Sequence, residues 1–275
     1  MASSDSLPNP LARPHDRRLL DQFRALRGLR GDGDPRERLA ALARAFAAVP
    51  YENLTKIIKH AACREPAASR RTPPEVLRGF QRSGAGGTCF SLTATLLHLV
   101  RAMGFEAEPI LADRRYGVDT HCAMIVWMDE HPSLLDPGYL IVDPIPLCRA
   151  VARLVVPTCF NQLELIPGAD NRLELYTLEQ GNRRYRLTFK TNPADDRTFL
   201  QAWDASFNWE GMRYPVLTRV TEHQQRYLRG THLQTKTLTE VRREDIPEGQ
   251  LVSRIVREFG VSQDIVQRAL EALKP

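Results

Sequence analysis

Gly84-Ala85-Gly86-Gly87-Thr88-Cys89-Phe90-Ser91-Leu92 is the stretch on which the reading of this chain turns. A glycine-rich approach delivers one cysteine to the start of an apolar helical pattern. Leu92, Leu96, Leu99, Val100 and Met103 share one side of that pattern, and Gly104 supplies its stop. A helix N-terminus favours a thiolate over a thiol, because unpaired N–H groups and the helix dipole stabilise negative charge. Gly86 and Gly87 permit a tight turn and leave room for a substrate carbonyl, with backbone N–H groups nearby to receive an oxyanion. By itself such a cysteine is more often an inert core residue, so its role depends on the partners that the rest of the chain supplies.

His121 opens a strongly apolar strand-like run, Cys122-Ala123-Met124-Ile125-Val126-Trp127, which anchors an imidazole on rigid structure. Asp143 ends the run Tyr139-Leu140-Ile141-Val142 and is the candidate to accept from the second ring nitrogen. Cys89, His121 and Asp143 are then nucleophile, base and orienting carboxylate of a thiol acyl-transfer site. A zinc site built from Cys89, His121 and Cys122 is disfavoured. It lacks paired ligand motifs, and adjacent strand residues face opposite ways. No metal is expected.

Outward from this centre, residues 16–29 carry Leu19, Leu20, Phe23, Leu26 and Leu29 at helical spacing. Asp34 caps a second helix with Pro35 in its first turn, and Pro73-Pro74 starts another that runs to about Phe80. Strand-like runs lie at 107–111, 122–128, 139–142, 185–190, 216–220 and 232–241, with Asp136-Pro137-Gly138 as a turn signal. The tail from 250 to 273 reads as two helices broken near Gly260, with Ser262 as a cap. Helices followed by strands, then strands mixed with helices, point to segregated α+β units. Trp203, Trp209 and Tyr214 are candidates to wall a pocket, although such aromatics are more often core.

Composition excludes several classes. The 275 residues carry 26% charged and 43% apolar side chains, an ordinary globular balance long enough for two or three units. The net charge of +5 is spread along the chain rather than gathered into a stripe, so nucleic acid is not the expected partner, and a general attraction to an anionic cofactor suffices. No run suits a membrane span, and the first residues lack a leader pattern, which makes a cytoplasmic address the expectation. Five cysteines (Cys63, Cys89, Cys122, Cys148 and Cys159) are an odd number without C-x-x-C spacing. One reactive thiol among bystanders fits better than a disulfide framework.

Three stretches resemble the arylamine N-acetyltransferase family, whose fold belongs to a broader papain- and transglutaminase-like thiol superfamily. Val49-Pro50-Tyr51-Glu52-Asn53-Leu54 is similar to the family's (V/I)-P-F-E-N-L segment. Gly86-Gly87-Thr88-Cys89-Phe90 is similar to its R-G-G-x-C-F-E-x-N motif. Thr120-His121 and Tyr139-Leu140-Ile141-Val142-Asp143 are similar to its T-H strand and L-V-D-V-G-F-G segment. The resemblance implies a helical domain over 1–88, a nucleophile helix with a β-barrel over 89–195, and an α/β lid over 196–275. It implies ping-pong transfer of an acetyl or short acyl group from acetyl-CoA, or another acyl-CoA, to an arylamine, hydrazine or related amine. Tyr51, Phe90 and Thr120 become the expected substrate contacts.

The departures are Ala85, Ser91 and Thr93 for the motif's arginine, glutamate and asparagine, and Pro144-Ile145-Pro146-Leu147 after Asp143. Loss of the arginine and glutamate together is consistent for a buried pair. The prolines imply an altered donor site. The alternatives are an amide synthase acting on a thioester-bound acyl chain, a carrier-bound one included, a thiol-dependent amide or thioester hydrolase, and a fold relic serving as a binding module.

Overall fold

The computed structural model describes residues 7–139, 141–147, 151–158, 160–179, 181–221 and 223–274. Cys148, Cys159 and Leu140 fall outside the described residues. The first part is helical: α1 (Arg18–Arg27), α2 (Pro35–Phe46), then a two-residue strand β1 (Tyr51–Glu52), α3 (Leu54–Cys63), α4 (Pro66–Ser69), α5 (Pro73–Ser83) and α6 (Cys89–Ala102). Local chemistry sets these boundaries. The Asp34 carboxylate accepts from the Glu37 N–H with Pro35 beside it, and Thr72 and Glu75 form a capping box on α5. All of α6 except His98 and Arg101 is buried. The helix begins at Cys89 itself, two residues before the apolar stripe requires, so the thiol belongs to its first turn.

Eight antiparallel strands follow: β2 (Glu106–Arg114), β3 (Gly117–Met128), β4 (His131–Asp136), β5 (Ile141–Pro146), β6 (Leu154–Pro157), β7 (Gln162–Pro167), β8 (Arg172–Glu179) and β9 (Asn182–Lys190). Their order is β5-β4-β3-β2-β9-β8-β7-β6, and the sheet curls into a half-barrel. One face packs Cys122, Met124 and Val126 against α6. The other encloses Ile110, Ile125, Leu165 and Phe189. The alternation along β3 thus puts the two faces into two different cores. Strand β4 was not expected from sequence: Asp136 closes that strand, and the turn begins only at Pro137.

The last part comprises α7 (Asp196–Ala205), β10 (Val216–Val220), β11 (Gln225–Arg229), β12 (His232–Lys236), β13 (Val241–Asp245), α8 (Leu251–Phe259) and α9 (Gln263–Ala272). The run expected as one strand over 232–241 divides into β12 and the start of β13, because the Thr237 hydroxyl accepts from the Thr239 and Glu240 N–H groups and turns the chain. The two tail helices meet at Gly260, which is left-handed at φ 71°. Ser262 stands before the second of them but makes no side-chain cap bond.

A second sheet has the order β1-β10-β11-β12-β13, so a strand from the helical first part edges a sheet built by the last part. Tyr51 lies opposite Thr218, and Glu52 opposite Leu217. The other side of β1 holds the Cys89 approach, where the Glu52 N–H donates to the Gly87 carbonyl at 2.9 Å and the Gly87 N–H to the Pro50 carbonyl at 3.2 Å.

Candidate active site

Cys89 is buried, with only 4% of its surface exposed. Its thiol is held well below the usual cysteine range. A hydrogen bond from Cys122 contributes most, burial opposes it, and a hydrogen bond and charge from His121 and the Arg114 cation add to the effect. Cys122 is pushed up by its own burial and by its bond to Cys89, so it stays a thiol, and its sulfur also lies 3.5 Å from the Thr93 hydroxyl. Gly86 permits the close approach of the strand before it, since a Cβ there would overlap the Pro50 carbonyl oxygen. The Gly87 N–H, expected among the oxyanion donors, is instead spent on Pro50. The first-turn N–H groups of α6, which have no intrahelical acceptor, are the donors that remain.

His121 is completely buried on β3, and its Nε2 lies 2.6 Å from the Asp136 carboxylate, which is also completely buried. The Arg114 guanidinium approaches the other ring nitrogen, Nδ1, at 3.0 Å. A guanidinium only donates, so Nδ1 accepts and Nε2 carries the proton toward Asp136. Burial, the largest influence, and the Arg114 charge work against the imidazolium, but the Asp136 charge and the hydrogen bonds to Asp136 and Cys89 together raise the His121 pKa.

The carboxylate at His121 is therefore Asp136 and not Asp143. The Asp143 side chain is 55% exposed and pairs with Arg44 on α2. The register explains the difference: Met124 on β3 lies opposite Leu135 on β4, and continuing that pairing leads His121 toward the 136–138 turn. The sequence did carry the signal. Leu134-Leu135-Asp136-Pro137-Gly138-Tyr139 fits the pattern L-V-D-V-G-F better than the segment ending at Asp143 does. With that alignment the glycine is present as Gly138, and the prolines at 144 and 146 belong to strand β5 away from the site. The inference of an altered donor site from those prolines loses its basis. Gly138 sits among all three groups, since a Cβ there would stand 3.0 Å from Cys89 Cβ, 3.1 Å from His121 Cε1 and 3.3 Å from Asp136 Oδ1.

A cavity of about 50 Å³ opens beside Cys89, lined among others by Tyr51, Lys56, Phe90, Ser206 and Trp209. Two of the three expected substrate contacts, Tyr51 and Phe90, reach it. The Phe90 ring, however, stacks on Trp203 at 5.9 Å between centroids and meets Phe199 edge-on at 5.3 Å, so most of it serves the core. Thr120 does not reach the cavity: its hydroxyl donates to the Gly117 carbonyl at 2.9 Å and closes the β2–β3 turn. Trp203 is core and Trp209 is pocket wall, while the Tyr214 hydroxyl accepts from Arg229 at 3.0 Å. Lys56 was missed, because a lysine early in a helix gives no sign of burial. Among the described residues, no group of three His, Cys, Asp or Glu side chains is placed to hold a metal ion.

A buried guanidinium from the segment before α5 reaches the loop before Cys89. Arg71 is buried, lies 3.7 Å from the fully buried Glu52, and donates to the Gly86 carbonyl, the Thr55 hydroxyl and the Glu75 carbonyl. Glu52 also accepts from the Thr55 N–H at 2.9 Å. A buried ion pair between Glu52 and Arg71 therefore braces the loop before Cys89. Ala85 packs in the core under α8 and α9, and the Ser91 hydroxyl donates to the Thr88 carbonyl at 3.1 Å.

A buried thiol opening a helix, set against a curled antiparallel sheet that supplies His121, defines a papain-like thiol fold of α+β class. A family model described as N-acetyltransferase matches residues 37–267. The chain belongs to the arylamine N-acetyltransferase family. Solved structures agree on the fold. The arylamine N-acetyltransferase from Mycobacterium abscessus matches with a TM-score of 0.77 and 20% identity, covering 92% of this chain and 94% of that one. The enzyme from Salmonella typhimurium matches at 0.75 with 16% identity, covering 94% and 100%. An enzyme from Bacillus cereus, described as having a unique Cys-His-Glu catalytic triad, matches at 0.71 with 17% identity, covering 89% and 99%. A search among curated proteins by sequence finds no match. Among the described residues no helix is long and apolar enough to cross a membrane.

Proposed function

We propose that the protein transfers an acetyl or short acyl group from an acyl-CoA, through a thioester on Cys89, to an arylamine, hydrazine or related amine. The observation that carries this reading is the meeting of Cys89, His121 and Asp136 around Gly138, with Cys89 also lining a small cavity. His121 takes the thiol proton on Nδ1, which displaces the Arg114 guanidinium from that nitrogen, and the Cys89 thiolate attacks the thioester carbonyl. The oxyanion forms beside the first-turn N–H groups of α6. Collapse breaks the bond to the CoA sulfur, which leaves as the thiol with the proton returned by His121, and the acyl group stays on Cys89. The amine then attacks that thioester, His121 accepts its proton, and collapse releases the amide and restores the thiolate. Asp136 holds the imidazole tautomer through both halves and stabilises its charged form. Tyr51 and Trp209 wall the space beside the sulfur.

Mass spectrometry after mixing the protein with acetyl-CoA tests the reading. The expected result is one acetyl adduct on the wild type and none on Cys89→Ala. Absence of an adduct with any short acyl-CoA sinks it. Hydrolysis without amine transfer after a normal adduct would favour the hydrolase alternative. An adduct from carrier thioesters alone would favour an amide synthase.

A further inference from the structure

Lys56 stands in the first turn of α3, and only 6% of it is exposed. Its ammonium donates to the Ser206 carbonyl at 2.9 Å and the Ser206 hydroxyl at 2.6 Å, and lies over the rings of Phe207 and Trp209 at 4.4 and 5.7 Å. An ammonium has three protons to donate, and Ser206 takes two. Among the described residues no ion pair with a carboxylate satisfies its charge, and the sole negative group acting on it is the Cys89 thiolate. Burial accordingly lowers its pKa to about 8, which leaves it mostly charged at neutral pH. Leaving a cation buried without a carboxylate is costly for a fold. An apolar side chain would fill the same place against Phe207 and Trp209 without that cost. Lys56 also lines the cavity that Cys89 lines. The other cation near the sulfur, Arg114, is already engaged by His121 and by the Tyr116 hydroxyl at 2.7 Å.

Resting on the transferase reading, we infer that Lys56 makes the cavity beside Cys89 a carboxylate subsite, so that one of the two substrates carries a carboxylate within reach of the reacting thiol. The cavity, at about 50 Å³, has room for a group of that size. The carboxylate belongs either to the acyl group, as in a dicarboxylic monothioester, or to the acceptor, as in an aminobenzoate. Both present the same chemistry to the ammonium, a charge-assisted hydrogen bond in a site shielded from water.

The test compares donors and acceptors matched in shape. Malonyl-CoA is set against isovaleryl-CoA, and 4-aminobenzoate against 4-isopropylaniline, each on wild type and on Lys56→Met. The wild type is expected to favour the carboxylate member of one pair by roughly 10- to 100-fold in kcat/KM. That preference is expected to collapse in Lys56→Met. The pair that shows it identifies whether the acyl group or the acceptor carries the charge. Equal rates within both pairs, or a preference that survives in Lys56→Met, overturns the inference. A variant slowed equally on charged and neutral members also overturns it, since Lys56 would then serve the thiolate alone. If Lys56→Met does not fold, Lys56→Gln takes its place, and the wild-type ratios stand by themselves. Failure to acylate Cys89 with acetyl-CoA, malonyl-CoA or isovaleryl-CoA removes the transferase reading itself, which is a different result from acylation without selectivity.

Discussion

Two carboxylates seven residues apart compete for one histidine in the sequence, and their surroundings separate them. Asp136 is sealed beside His121, while Asp143 is half in water with Arg44. Asp136→Asn is expected to lower kcat by at least about 100-fold, since an amide holds the wrong tautomer. Asp143→Asn should stay within about threefold, as exposed ion pairs contribute little. Steady-state rates of both variants with one donor and one amine check this, and equal losses would count against the assignment. Gly138→Ala introduces a methyl group tight against all three groups of the site. Its kcat should fall about 100-fold through misplacement of the reacting atoms. Its stability should fall by only ~1–3 kcal/mol, as measured by urea unfolding. Cys89 and His121 were legible in the sequence as candidates because each stands where a chemical rule puts it, at a helix start and at the head of an apolar strand. The aspartate was legible only as a motif, in Leu134-Leu135-Asp136-Pro137-Gly138-Tyr139, which the run ending at Asp143 masked. Asp-Pro-Gly has the local character of a turn, and the β3–β4 register shows that its first residue is still in the strand.

At the scale of elements, α3, α5 and the loop before α6 are fastened by one buried guanidinium. Arg71 reaches the Gly86 carbonyl, Thr55, the Glu75 carbonyl and Glu52. Arg71→Met leaves Glu52 buried without a cation and is expected to cost about 3–5 kcal/mol. Calorimetry should show a markedly lower Tm, and Glu52→Gln added to it should restore part of the loss. A Tm unchanged in Arg71→Met would contradict the bracing role. Two helices announced their starts in the sequence: α2 through Asp34 with Pro35, and α5 through Pro73-Pro74. Strand β1 did not, because two residues carry no period. It exists through its neighbours, Gly87 on one side and β10 on the other.

For the molecule as a whole, Lys56 sets selectivity against stability. Its pKa in the folded chain is about 8, below the ordinary 10.5. Between those values the unfolded chain binds more protons than the folded one, so this residue adds stability as pH rises from about 8 to 10.5 and is a full burden below that range. Lys56→Met is therefore expected to be more stable than wild type at pH 7, by about 1–3 kcal/mol. The gap should narrow across that alkaline range. The charged and titratable neighbours, Cys89 and His60, are present in both proteins, and a Tm series against pH reads the difference. A variant less stable than wild type at pH 7 would contradict it. The α+β class was legible from the order of helical and strand-like runs. The sharing of β1 between the first and last parts of the chain was not, since pairing between distant segments leaves no local mark.

That shared strand also sets a schedule. Tyr51 touches Gly87 on one side and Thr218 on the other, and Thr218 is synthesised 167 residues later (218 − 51). At ~5–20 residues per second the delay is roughly 10–30 s. The nucleophile loop thus leaves the ribosome well before the strand that completes its surroundings exists. The cavity wall at Val216 arrives equally late. A translation product that stops short of β10 therefore carries the cysteine together with Arg114, His121 and Cys122, the groups that tune it, but lacks the cavity wall at Val216 and the far partner of β1.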